Sequence, residues 1–232
     1  MEPVNNSNLH APGHPVYEPE RWNKNKYIRK SHNCYSYALN IIDDKLVNNC
    51  KRLMNAYKNQ NNTNNTNKNK TNKNKINKNK TNKNKTNKNK TNRNKKSNKP
   101  NCGVLKPQPG AYYKNSVKKK LKSGKYTCKK VTLRMIKDNP LLKPIEKNMP
   151  CPNNYYLIAL SCIPDGSDYH FYRQDASGLW SHKNGGMPAR NKDESGNLIE
   201  DPEKADRGRY TIFCGYYMVP NNPKLKHMSS RD

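Results

Sequence analysis

Cys34, His170 and His182 are the residues of this 232-residue chain whose types and settings can do chemistry together. Cys34 follows Asn33, a good helix N-cap, and Tyr35, Leu39, Ile42 and Leu46 fall at helical spacing, so the cysteine opens an amphipathic helix. A thiol in a first helical turn meets unpaired backbone N–H groups that favour thiolate, which predicts a lowered pKa. Nucleophilic use of that thiol also needs a proton acceptor held by a third group. His170 meets the first need. In DYHFYR (168–173) the polarity alternates, with Asp168, His170 and Tyr172 on one strand face, where packing fixes the imidazole.

His182 meets the second need only if the hairpin register allows it. A three-residue loop at 176–178, with Gly178 left-handed, pairs Asp175 with Leu179 and sets Tyr172 opposite His182. His170 and His182 then become diagonal neighbours on one face, about 7–8 Å apart between backbones. A two- or four-residue loop puts them on opposite faces. With all three together, Cys34 attacks an amide or ester carbonyl, His170 moves the proton and His182 orients the ring, a reaction that requires no cofactor. His32 reads as structural, and Cys162 and Cys214 read as core. The acidic segment 193–201 lacks the spaced ligands of a calcium loop and reads as a hairpin tip.

Positioning these residues means assembling one domain across an interruption. From 58 to 100 the chain repeats TNKNK, without Asp or Glu, and holds 15 of the positive charges behind the formal net +29. It has nothing to bury against the entropy of ordering, so disorder is expected. The organisation is an arm (1–30), a first piece of the domain with the cysteine helix (31–57), the insert (58–100), a second piece carrying His170 and His182 (101–220), and a tail (221–232). In the second piece, 131–138 reads as a short helix stopped by Pro140. The run YYLIALSCI (155–163) reads as a strand buried on both faces, and 179–182 and 210–219 as further strands. A helix, an insert, a short helix and an antiparallel meander make an α+β fold. The 15 Tyr against 2 Phe and 2 Trp suit half-buried strands better than a helical bundle.

The seven cysteines are odd in number and lack a CxxC pair, which argues against a disulfide framework or a zinc ribbon. The first thirty residues hold four prolines and no apolar stretch of the kind a signal peptide needs. No run of about 20 apolar residues suggests a membrane span. An intracellular location is the expectation.

HNCYSYALN (32–40), followed by DYHFYR and then LWSH, resembles the NlpC/P60 superfamily of papain-like cysteine peptidases and amidases. The resemblance covers 31–219 with the insert removed. It implies a papain-like core in which a cysteine helix packs on an antiparallel sheet, with Cys34 as nucleophile, His170 as base and His182 as orienter. Asn33 before the cysteine is closer to the amidase and acyltransferase branches. The Asn/Lys bias resembles uncharacterised proteins of giant DNA viruses, which implies a host-cytoplasmic or virion setting. The competing reading is a non-enzymatic, virion-associated binding protein whose basic tract (58–100) holds nucleic acid or an acidic partner, weakly and with strong salt dependence.

Overall fold

The computed structural model describes residues 13–73, 100–112, 126–147 and 149–221. Five α-helices, a 3-10 turn and six strands follow in order: α1 (Pro19–Asn23), α2 (Lys26–Ser31), α3 (Cys34–Ala38), α4 (Asp44–Lys73), η1 (Cys102–Leu105), α5 (Cys128–Asp138), β1 (Lys143–Ile145), β2 (Tyr155–Cys162), β3 (Tyr169–Gln174), β4 (Trp180–Lys183), β5 (Ala189–Arg190) and β6 (Ile212–Pro220). The strands form one antiparallel sheet in the order β1-β6-β2-β3-β4-β5. The fold is α+β, as composition and order suggested.

The apolar run becomes β2 and sits inside the sheet, because only an interior strand uses side chains on both faces. Tyr156, Ile158, Leu160 and Cys162 face one layer of core, where Tyr35, Ala38 and Leu39 from α3 and Val131 and Met135 from α5 cover them. Ala159 faces the other layer with Tyr172, Trp180, Ile199 and Tyr216. The strands are not a plain meander. β2 to β5 follow one another, but β6 returns to the far side of β2, and the short β1 edges it. A bulge at Leu160 and Ser161 shifts the long β2–β6 register.

The single helix expected from Cys34 through Leu46 is two helices. Asn40 takes φ +52°, its N–H donates to Tyr37 O at 2.9 Å, and Ile41 N–H donates to Ser36 O at 2.9 Å. This is a Schellman ending, with Asn in the left-handed position that most side chains avoid. It ends α3 after five residues and lets α4 set off from Asp44. α4 then runs into the Asn/Lys tract as far as Lys73, extending a helix already nucleated by its packed first turns. The rest of the stretch expected to be disordered, 74–99, lies outside the described residues, as do most of the tail and 1–12 of the arm.

Two disulfides also depart from expectation. Cys50 joins Cys102, and Cys128 joins Cys214. The first ties α4 to η1 across the tract, and the second ties the start of α5 to β6. Their partners are separated by 52 and 86 residues, so no local spacing announces them. Cys214, read as core from sequence, is therefore cross-linked, while Cys34, Cys151 and Cys162 are free thiols.

Candidate active site

The hairpin takes the three-residue loop. Gly178 adopts φ +83°, Asp175 N–H donates to Leu179 O at 2.8 Å, and Tyr172 pairs with His182. A residue with a Cβ would be strained at that φ, so the glycine sets the register. With that register the two histidines meet, His170 Nε2 lying 2.7 Å from His182 Nδ1 with the rings edge to face.

Each imidazole also has an aromatic plate. Tyr210 stacks on His170 with centroids 5.0 Å apart, and Tyr172 stacks on His182 at 5.2 Å. Tyr210 is itself fixed by donating its hydroxyl to Asp168 Oδ2 at 3.1 Å. On its outer side His182 Nε2 is 3.0 Å from the carbonyl oxygen of Lys192, which can only accept. A proton on Nε2 toward that carbonyl leaves Nδ1 as acceptor and has His170 donate from Nε2, whereas the Arg190 Nε donor at the same nitrogen favours the opposite tautomer. In the first of these forms His170 Nδ1 carries the lone pair. Arg190 Nε stands 3.1 Å from the same His182 Nε2 and pairs with Glu194 at 2.5 Å.

Cys34 begins α3 at the edge of β3, beyond the end of the β3–β4 pairing. Asn33 caps the helix by accepting from Ser36 N–H at 3.2 Å, and its amide donates to Pro107 O at 2.8 Å. The thiol lies against the main chain on both sides of His170. It points toward Tyr169 O at 4.0 Å, and the Phe171 N–H helps to offset its loss of hydration. Cys34, Asn33, Asp168, His170 and Tyr210 line one cleft of about 550 Å³, with Gln108 and Lys106 across from them. Asp165 to Asp168 form the turn that leads β2 into β3 at the rim of this cleft.

The electrostatics reverse one expectation. Burial pushes the Cys34 thiol up to about 12 and outweighs the N–H groups of Phe171 and Tyr35 that pull the other way. A thiol that is 5% exposed loses more hydration than a five-residue helix returns. Burial holds His170 well below its ordinary range, with the neighbouring His182 and Arg190 adding to the effect. His182 falls to about 4, again mainly through burial. Burial thus favours the neutral form of the thiol and of both imidazoles.

The remaining polar groups hold α3 in place. His32 is buried, accepts from Asp43 N–H at 2.9 Å through Nε2, and has its pKa drawn down to about 4 by burial, so it is structural. Lys183 reaches under the helices and donates to Arg29 O, His32 O and Gly185 O at 2.7, 2.9 and 2.6 Å, closing the carbonyl end of α2. Burial draws that ammonium down to about 7. Asp138 at the end of α5 accepts from Tyr35 Oη at 2.7 Å and from the N–H groups of Gly110 and Tyr112 at 2.6 and 2.8 Å. Sequence reasoning missed Tyr210 and the Lys192 carbonyl. Tyr210 precedes β6 and comes to His170 only through the crossover, and a main-chain oxygen leaves no mark in a sequence.

No family model matches the chain. No solved structure matches it. Among curated proteins it is similar to insoluble matrix shell protein 1 of Ruditapes philippinarum, 58% identical over 63 residues. The match covers 27% of this chain, and the chain spans 42% of the length of that relative. A likeness over so small a share carries neither a fold nor a role.

Proposed function

We propose that the protein is a cysteine hydrolase or acyltransferase of NlpC/P60-like, papain-like design, acting on an amide or ester bond through Cys34, His170 and His182. The observation that carries the reading is the 2.7 Å contact between His170 Nε2 and His182 Nδ1, made beside a thiol that opens into the same cleft. His182 and the Lys192 carbonyl hold the tautomer of His170 in which Nδ1 takes a proton. Cys34 attacks the carbonyl carbon as His170 Nδ1 accepts the thiol proton, and the same imidazolium then protonates the departing amine or alcohol. The N–H of Cys34 at the open end of α3 is the donor available to the developing oxyanion. The acyl group passes from sulfur to water or to an acceptor. All of this is chemistry of side chains and main chain, with no cofactor assigned.

The test is alkylation of the native protein with iodoacetamide, mapped by mass spectrometry to Cys34, together with turnover on a panel of aryl esters and anilides. Turnover should vanish in Cys34→Ala. A Cys34 labelling rate that does not change in His170→Ala would sink the proposal.

The second reading is a binding protein that uses the basic tract. It draws on the 15 positive charges of 58–100. Deleting 58–100 separates the two. Loss of binding to nucleic acid or acidic polymer, with no turnover in either form, favours the second reading. Turnover that survives the deletion favours the first.

A further inference from the structure

Three sulfurs converge away from the cleft where the end of β2, the start of β6 and the first residue of α5 meet. Cys128 and Cys214 are joined as a disulfide, while Cys162, the last residue of β2, remains a thiol. The Cys162 sulfur lies 3.6 Å from that of Cys214, and all three sulfurs lie within 4.8 Å of one another. Cys128 and Cys214 are half-buried, whereas Cys162 is 1% exposed.

We propose that Cys128, Cys162 and Cys214 form a thiol–disulfide exchange centre with two covalent states. The Cys162 thiolate attacks Cys214 Sγ, a Cys162–Cys214 bond forms, the Cys128–Cys214 bond breaks, and Cys128 leaves as thiolate. One disulfide replaces another, so no oxidant or reductant is consumed. The proton that Cys162 gives up is matched by one that Cys128 takes from solvent.

The position of Cys128 favours this direction. It is the first residue of the eleven-residue α5, capped by Thr127, whose side chain accepts from Lys130 N–H. A thiolate is stabilised at a helix start, and a better-stabilised thiolate is a faster leaving group. The attacking group limits the rate. Burial, then the Asp168 carboxylate, pushes Cys162 up to about 11. Asp168 before β3, Tyr217 on β6, Tyr169 across the β2–β3 pairing and Cys128 at the start of α5 are titratable groups beside it. Exchange is therefore slow at neutral pH and accelerates as pH rises. It turns a tie between helix and sheet into one between strands, freeing the start of α5 while Asp138 still holds its far end.

The full-length protein, without reductant, is incubated with iodoacetamide at mildly alkaline pH, quenched in acid and mapped by peptide mass spectrometry. The expected product carries the alkyl group on Cys128 and a Cys162–Cys214 disulfide, accumulating faster at higher pH. A map that retains Cys128–Cys214 throughout, with Cys162 alkylated or unreacted, overturns the proposal. In Cys162→Ser the Cys128 adduct should be absent, and its persistence also overturns the proposal. Cys151→Ser should leave the product unchanged; loss of the product there would mean that a different thiol attacks.

Discussion

His170 Nε2 meets His182 Nδ1 at 2.7 Å although the two residues stand two positions out of register on neighbouring strands. The contact exists because the 176–178 loop sets Tyr172 opposite His182 and because Tyr172 and Tyr210 leave each ring little room to turn. On the proposed mechanism, removing His182 should therefore disturb His170 as base without touching Cys34. Removing a base of this kind costs about 10²–10⁴ in rate, and His182→Ala should lose a part of that range. His182→Gln, whose amide oxygen can accept from His170 Nε2, should recover some of the loss. The measurement is the Cys34 alkylation rate in each variant. Rates in both forms equal to that of the parent would remove His182 from the mechanism.

The thiol offers a second check, because its pKa is raised to about 12 rather than lowered. A preformed thiolate–imidazolium pair would give a reactivity plateau in weak acid. If free thiolate formation governs the reaction at this buried thiol, Cys34 should instead alkylate faster with each rise in pH across about pH 6 to 10, without a plateau. Following the Cys34 adduct by mass spectrometry over that range distinguishes the two, and a flat profile would show that the site polarises the thiol far more than its burial indicates.

Arg190 supplies a third. Its Nε–H donates to His182 Nε2, the nitrogen that also faces the Lys192 carbonyl, and its charge lowers the pKa of both imidazoles. Arg190→Gln removes that positive neighbour, so both histidines should titrate at higher pH than in the parent, with His170 still below the ordinary range because burial dominates. Histidine ring signals followed by NMR read this directly. Unmoved titrations would mean that the guanidinium is drawn off to Glu194 in solution.

Much of this arrangement is legible in the residue order, and the failures have separate causes. Gly178 in a short polar turn offered the three-residue loop as one of the possible registers, and the apolar run 155–163 marked an interior strand, because both are local constraints. The break at Asn40 escaped because Leu39, Ile42 and Leu46 keep a helical period straight through it, and a left-handed Asn leaves the period intact. The disulfides escaped because each pairs distant segments across long stretches of chain. The sense of the Cys34 shift escaped because helix placement can be read from sequence, whereas the depth of burial depends on Tyr169 and Phe171 packing beside the thiol.

Acid should loosen the fold through two imidazoles. His32 and His182 have folded pKa values of about 4, below the ordinary 6.5. A base with a depressed folded pKa contributes stability that is present above its unfolded pKa and is lost as pH falls through the folded one. Their contribution should therefore be level above pH 6.5 and decline from 6.5 to 4, by on the order of a few kcal/mol in total, while the depressed Lys183 adds a separate rise between about pH 7 and 10.5. Urea unfolding at a series of pH values measures it. His32→Gln should flatten part of that slope, whether or not it lowers stability at neutral pH.

The ion pair under α3 gives the sharpest stability prediction. Arg173, 1% exposed, donates from Nε and Nη2 to Asp175 Oδ1 at 3.0 and 2.7 Å, and also reaches Asn40 Oδ1, Val16 O and Tyr37 Oη. Its guanidinium lies over the Tyr37 ring at 4.4 Å. The pair thus joins the hairpin, the arm and the turn that ends α3. Asp175→Ala leaves a buried cation without its counter-charge and should cost about 3–5 kcal/mol. Removing both charges as Arg173→Met with Asp175→Ala should cost less than Asp175→Ala alone, because no unpaired charge then stays behind. A double-mutant cycle by urea denaturation decides it. Simple addition of the two single losses would mean that Arg173 acts through its carbonyl and aromatic contacts rather than through Asp175.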